Sequence, residues 1–253
     1  MSLIDPGELE LATLRALVTF TGQRVLEVGT GDGRLAWDLS ADAALWLALE
    51  PDLEELQAAV RARPHMDTAT VRFFAGDGRR LALPAAACDV AFFTWSLCCI
   101  PPDGMAAALA EAHRVLRQGG VLLDIHPTSE PLWLELWSLR PGQPEASVDP
   151  EQCDQAALGD LAPGEMQPNF AAATAAIEAA PEQGYQVSEV RAFDFRFFFD
   201  TLDDLSDHLE VNEEFGLAGD ELLEAALLGL QAATRPARLV LTQPVMVTRL
   251  VRL

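Results

Sequence analysis

The chain has 253 residues, half of them hydrophobic and 22% charged, a composition that argues against disorder and a length that suits one large α/β domain or two small ones. All 17 basic residues are arginines against 39 acids, a net charge of −22. That field repels nucleic-acid backbones and anionic membrane surfaces.

No apolar run approaches the ~20 residues of a membrane span. Met1 to Pro6 lacks the basic and apolar regions of a signal peptide. The four cysteines, Cys88, Cys98, Cys99 and Cys153, form no CxxC pair, so neither a disulfide framework nor a metal site is expected. A reducing, cytoplasmic location fits.

In chain order, Pro6 to Phe20 reads as a helix, with Leu9, Leu11, Leu14, Leu17 and Val18 at helical spacing. Arg24 to Val28 is a short strand, Gly29 to Gly33 a glycine-rich turn, and Arg34 to Ser40 a helix. Ala44 to Leu49 is a second strand and Asp52 to Arg63 a helix. Thr70 to Ala75 and Val90 to Thr94 are further strands. Asp103 to Arg117 is a helix stopped at Gly119-Gly120, and Val121 to Ile125 a fifth strand. This alternation predicts a doubly wound, mostly parallel sheet.

From Pro127 to about Gln183 the pattern breaks. Leu132 to Leu139 reads as a short helix carrying Trp133 and Trp137. Five prolines follow, and regular structure is expected to be scarce until a helix over Phe170 to Ala180. Thr128 to Glu182 holds ten acids and one base, Arg140, and long connectors of this kind are often lids or binding loops. Val187 to Phe199 is a long strand, Thr201 a helix N-cap, and Glu221 to Ala233 a helix. Arg238 to Leu241 and Val245 to Leu250 form a strand broken at Pro244.

The chemistry is carried by Glu27-Val28-Gly29-Thr30-Gly31-Asp32-Gly33, at a strand-to-helix turn. Glycines there let the backbone turn sharply and approach a ligand, and the helix start offers free N–H groups. A dinucleotide fingerprint would need glycine at position 34, which is Arg34. Glu50 ends the second strand 19 residues after Gly31, the place of a carboxylate that accepts from ribose hydroxyls. Asp77 ends the third strand, where an adenine amino group could be read. Alternatively, Glu50 is a helix N-terminal charge and Asp77 a turn former.

These segments, with Asp89 to Phe93 and Glu111 to Gly120, resemble the class I S-adenosylmethionine-dependent methyltransferases of the small-molecule, type 11-like group. The resemblance covers Arg24 to His126. It implies a Rossmann-like fold with a seven-stranded sheet whose last strand is antiparallel, in one domain over 1–253. That domain would comprise a cofactor-binding core (24–126), an acceptor lid (127–183) and C-terminal elements completing the sheet (184–253). It implies S-adenosylmethionine as cofactor. Gly29, Thr30, Gly31 and Gly33 would form the loop, Glu27 would orient it, and Glu50 would hold the ribose. Asp77 and Gly78 would lie at the adenine, and Thr94 and Trp95 near the sulfonium or adenine. The family's histidine- or asparagine-rich stretch after the fourth strand is here Ser96-Leu97-Cys98-Cys99-Ile100.

Methyl transfer to a small-molecule acceptor is the activity implied, with a cofactor-binding protein without transfer as the alternative. A general base would assist a hydroxyl or ammonium acceptor. His126 ends the fifth strand at the same crevice, and Asp124 shares its strand face and would orient it. His126 is equally a strand-end histidine bonded to a loop. His65, His113 and His208 carry no role. Arg191 and Arg196, on the sixth strand, would clamp a carboxylate or form surface ion pairs. The residues do not determine an oligomeric state.

Overall fold

The computed structural model describes residues 2–4, 8–62, 70–144 and 148–253. Pro6, Arg63 and His65 lie outside the described residues. The elements run β1 (Ser2–Ile4), α1 (Leu9–Leu17), β2 (Arg24–Val28), α2 (Arg34–Leu39), β3 (Leu45–Glu50), α3 (Leu53–Arg61), β4 (Val71–Ala75), β5 (Cys88–Thr94), α4 (Pro102–Val115) and β6 (Leu116–Pro127). After them come β7 (Trp133–Leu139), β8 (Cys153–Asp160), β9 (Ala162–Pro163), α5 (Gln167–Ala179), β10 (Tyr185–Phe199), α6 (Leu202–Val211), β11 (Gly216–Leu217), α7 (Asp220–Ala232) and β12 (Ala237–Arg252). The chain divides into two compact units.

The larger unit comprises Leu11–Pro127, Asn169–Ala192 and Met246–Leu253. Its strand order is β10-β12-β6-β5-β2-β3-β4. β2 is parallel to β3 and β5, and β3–β4 and β5–β6 are parallel too. Phe92 and Phe93 on β5 and Leu122 and Leu123 on β6 are all fully buried, as strands covered on both faces require. Chain succession reverses between β2 and β5. Ligands of such sheets bind at that switch point, beyond the carboxyl ends of the strands. Asp52 caps α3, accepting from Glu54 N at 2.7 Å and Glu55 N at 3.2 Å.

Helix α4 stops at Val115, one turn before the expected Gly119-Gly120. Leu116 turns extended (φ −70°, ψ 145°) and already pairs with Cys88. The next pair is Val90 with Val121, so residues 117–120 stand opposite the single residue Asp89. Gly119, at φ +71°, makes this irregularity possible.

Asp89 closes it. Its carboxylate accepts from Arg24 N (2.8 Å), Arg24 Nε (3.0 Å), Arg24 Nη2 (3.0 Å) and Arg117 Nε (2.8 Å). The Arg24 guanidinium holds the carboxyl well below the usual carboxylate range, despite the opposing effect of burial. A depressed native pKa contributes stability above the unfolded value of about 3.9 and loses it as the pH falls through the native value. The destabilisation caused by Asp89→Asn is therefore expected to be full at neutral pH and to shrink below about pH 4. Urea midpoints of both proteins across that range measure it; a pH-independent difference would contradict the ion-pair account.

The smaller unit comprises Met1–Glu10, Thr128–Pro168 and Phe193–Val245. Here the expected helix over Leu132 to Leu139 is the strand β7. It pairs antiparallel with Ala237–Thr242 of β12 and with β8. Leu132, Leu134 and Leu136 pack into one apolar cluster with Leu205, Ala226 and Leu239. Trp137 and Leu139 pack into another with Cys153, Phe198 and Val240. A strand with apolar residues on both faces mimics helical periodicity. β8, within the stretch expected to be irregular, is recruited by its partner rather than by its own sequence, Cys-Asp-Gln-Ala-Ala-Leu-Gly-Asp.

β12 is also unbroken where Pro244 was expected to divide it, and the Pro244 carbonyl accepts from Thr128 N at 2.9 Å. β1 pairs antiparallel with the end of β10, and β9 with β11. With β1, β7 and β8 the sheet has ten strands, three more than expected. Thr201 caps α6 as expected, accepting from Asp204 N at 3.1 Å. No described helix is long and apolar enough to cross a membrane.

Candidate cofactor site

The turn after β2 is held from three sides. Gly29 N and Thr30 N both donate to the Leu49 carbonyl, at 2.8 and 3.0 Å. Gly31 N donates to Glu50 Oε2 at 2.8 Å, and Glu50 Oε1 accepts from Asp52 N at 3.0 Å. Ser96 Oγ donates to the Val28 carbonyl at 2.5 Å. Gly29 sits at φ +77°, and a Cβ there would stand 2.4 Å from Ser96 Cβ, so neither conformation nor space admits a side chain. Gly31, at φ +54°, faces open space.

Beyond this turn lies a cavity of about 470 Å³, contained in the larger unit. Glu27, Gly29, Thr30, Gly31, Glu50, Asp77, Gly78, Thr94 and Trp95 all line it. Gly33 is the expected cofactor residue that does not. It sits at φ +79° at the start of α2, where a Cβ would stand 2.9 Å from Ala59 and 3.1 Å from Phe73. Its place is in the packing of α2 against α3 and β4.

Four acidic residues line the cavity, and Asp32 accepts from Arg34 N at 3.1 Å; the three expected there stand in different states. Glu27 is buried and accepts from Trp46 Nε1 at 2.8 Å. Glu50 is also buried and braces the loop by the two bonds above, with lone pairs to spare. Asp77 is half-exposed. It makes a two-pronged ion pair with Arg79 at 2.7–3.1 Å, which holds its carboxyl below the ordinary value, and it also accepts from Arg79 N.

Two hydroxyls, Thr30 Oγ1 and Thr94 Oγ1, are buried in the cavity wall with no partner among the described residues. Buried polar atoms are rarely left unpaired unless a ligand or water satisfies them. Trp95 adopts φ +58°, uncommon for a bulky residue, and its N–H donates to the Ile125 carbonyl at 2.8 Å. This conformation aims the chain after β5 across the cavity.

Sequence reasoning missed Ser96, Arg79, Cys99 and Ile100 as lining residues. The stretch 96–100 has no recognisable motif; only its position after β5 could have pointed to it.

His126 and Asp124 stand elsewhere. Both are fully buried on β6, and neither lines the cavity. His126 Nδ1 is 2.5 Å from Asp124 Oδ2, and His126 Nε2 is 3.0 Å from Thr174 Oγ1 on α5. The pair ties β6 to α5. Arg191 and Arg196 are ion-paired with Glu189 and Asp194.

All four cysteines are thiols, and only Cys99 is exposed. Burial pushes the Cys88 thiol up to about 11, and Cys98 is raised by its bond with Cys99 and by burial. Cys99 lines the cavity, with Sγ 3.1 Å from the Trp95 carbonyl. Iodoacetamide is therefore expected to modify Cys99 first, and a ligand filling the cavity to slow it. Peptide mapping with and without S-adenosylhomocysteine reads both; equal rates would place the ligand elsewhere.

This cavity, with its glycine turn and strand-end acids, lies at the switch point where α/β sheets bind their ligands. Residues 25–120 match the family model described as a methyltransferase domain. The chain carries that domain within a class I Rossmann-like fold.

No curated protein matches the chain. Among solved structures, a candidate methyltransferase from Bacillus halodurans C-125 is 14% identical with a TM-score of 0.58, over 97% of this chain and 98% of that one. The [4+2]-cyclase SpnF is 18% identical with a TM-score of 0.55, over 96% and 80%. At such identities the likeness is one of fold. A phosphoethanolamine N-methyltransferase from Haemonchus contortus is 23% identical over 47% of this chain, which spans a quarter (25%) of that protein, with a TM-score of 0.43.

The cofactor of this kind of domain is S-adenosylmethionine, and the residues present fit it. The glycine turn leaves room for a backbone-hugging chain, and Glu50 retains acceptor capacity. Two buried hydroxyls lack partners among the described residues, and Leu49 and Ile100 offer apolar wall.

Proposed function

We propose that the protein transfers a methyl group from S-adenosylmethionine to a small-molecule acceptor by in-line SN2 displacement. The observation that carries this reading is the pair of unpartnered hydroxyls, Thr30 and Thr94, buried in the wall of a cavity built on the matched domain's glycine turn. When bound, S-adenosylmethionine supplies an electrophilic methyl group on a sulfonium.

The chain's own residues hold and orient. Gly31 leaves space along the turn, Gly29 lets it pack against Ser96, and Glu27, fixed by Trp46, steadies the loop from beneath. Glu50 would accept from the ribose hydroxyls while bracing Gly31. Asp77 and Gly78 would lie at the adenine. Thr94 and Trp95 would lie near the sulfonium or the adenine, and in-line placement of the acceptor would supply most of the rate. The charge of −22 supports a reading without nucleic-acid partners.

A second reading is a cofactor-binding protein without methyl transfer. Two observations favour it. Among the described residues no histidine lines the cavity, and the fold also serves SpnF, a [4+2]-cyclase.

The first experiment is thermal unfolding with S-adenosylhomocysteine, with NADH as control. A ligand at 100 times its Kd adds about 2.7 kcal/mol, and the melting temperature is expected to rise on the order of 5–10 °C. A rise with NADH alone would refute the cofactor assignment. Methyl release with an acceptor panel then separates the two readings: turnover supports transfer, and tight binding without turnover supports the second.

A further inference from the structure

The smaller unit contains a cavity of its own, of about 300 Å³, which shares no lining residue with the cofactor cavity. Trp137, Leu139, Phe198 and Ala237 form its apolar wall, and Asp200 and Arg238 its polar side. Trp137 and Phe198 meet edge to face, with ring centroids 5.4 Å apart. Arg238 Nε donates to Asp200 Oδ1 at 2.7 Å, but Arg238 Nη1 is buried and has no partner among the described residues.

Arg196 repeats the pattern. Its guanidinium carbon lies 5.4 Å from the centre of the Trp137 ring, and its Nη2 donates to Asp194 at 3.0 Å. Its Nε is also buried and unpartnered. A guanidinium N–H removed from water without an acceptor is costly. A chain with 39 acids has carboxylates enough to pair every arginine, yet these two donors stay open beside one aromatic wall.

We infer that this cavity binds a small monocarboxylate with an aromatic or branched apolar body. The carboxylate accepts from Arg238, whose planar fork suits it, and the body packs on Trp137 and Phe198. Asp200 beside Arg238, and the overall negative charge, disfavour a dianion such as a phosphate monoester. The apolar wall disfavours small hydrated anions. A cation would meet the Arg238 guanidinium.

Calorimetric titration of the full chain with phenylacetate tests this, with benzylamine and inorganic phosphate as controls. Phenylacetate is expected to bind saturably, with both controls at least about tenfold weaker. Arg238→Gln is expected to weaken binding by about tenfold or more, or roughly 1.4 kcal/mol. Because that change also removes the pair with Asp200, Ala237→Leu serves as a second variant. It fills the cavity, leaves the pair intact, and is expected to weaken binding too. Binding should persist in excess S-adenosylhomocysteine. The proposal is overturned if folded wild-type protein shows no saturable binding, if Ala237→Leu leaves binding unchanged, or if S-adenosylhomocysteine competes it away.

Discussion

Asp124→Ala is expected to lower stability by about 3 kcal/mol or more. His126 and Asp124 are fully buried and 2.5 Å apart. Deleting the carboxylate leaves a ring nitrogen of His126 without its partner and opens a void beneath α5. Removing one member of a buried polar pair costs more than the pair contributes, because the survivor stays desolvated. Denaturant midpoints of the two proteins measure the loss. A midpoint unchanged within error would show that the pair does not form. The same geometry governs how His126 can matter for catalysis. It is tied to Thr174 on one side and Asp124 on the other, and it lines no part of the cofactor cavity, so its influence on a reaction would be positional.

Glu50→Ala is expected to weaken S-adenosylhomocysteine binding by about 100-fold. The carboxylate holds Gly31 N and Asp52 N. On the proposed reading it also accepts from the ribose hydroxyls. Hydrogen bonds to a charged group contribute about 1.5–3 kcal/mol each, and the turn loses its brace at the same time. Glu50→Gln should recover part of the affinity, since one oxygen remains to accept while the amide opposes the other N–H. Calorimetric titration reads the series. An alanine variant within threefold of wild type would remove Glu50 from the binding role.

Much of the site could be read before any coordinates. The strand Arg24–Val28 falls at its expected bounds because five consecutive residues suit a covered strand and a glycine turn follows at once. Nine of the ten expected cofactor residues meet at one cavity, because strand-end positions in a parallel sheet converge by topology. Gly33 departs because a positive φ can serve packing as well as ligand approach.

The reading weakened where neighbours decide. Trp133 to Leu139 buries apolar residues on both faces, so its period is ambiguous, and only pairing with β12 makes it a strand. Cys153–Asp160 has almost no strand propensity of its own. The burial of His126 depends on Thr174, 48 residues further on, a contact that local pattern does not encode.

The two units are threaded through one another along the chain: each is assembled from three separate stretches, and β10 and β12 contribute to both. Neither can therefore be cut out as a continuous gene segment. A fragment ending near residue 126 would carry every motif of the cofactor loop and still lack β12, which lies beside β6. An interior strand would become a bare edge, offering its unpaired backbone to any other copy. Recombination or truncation in this protein would thus tend to yield aggregates rather than portable modules, and productive variation is confined to substitutions and to insertions between strands.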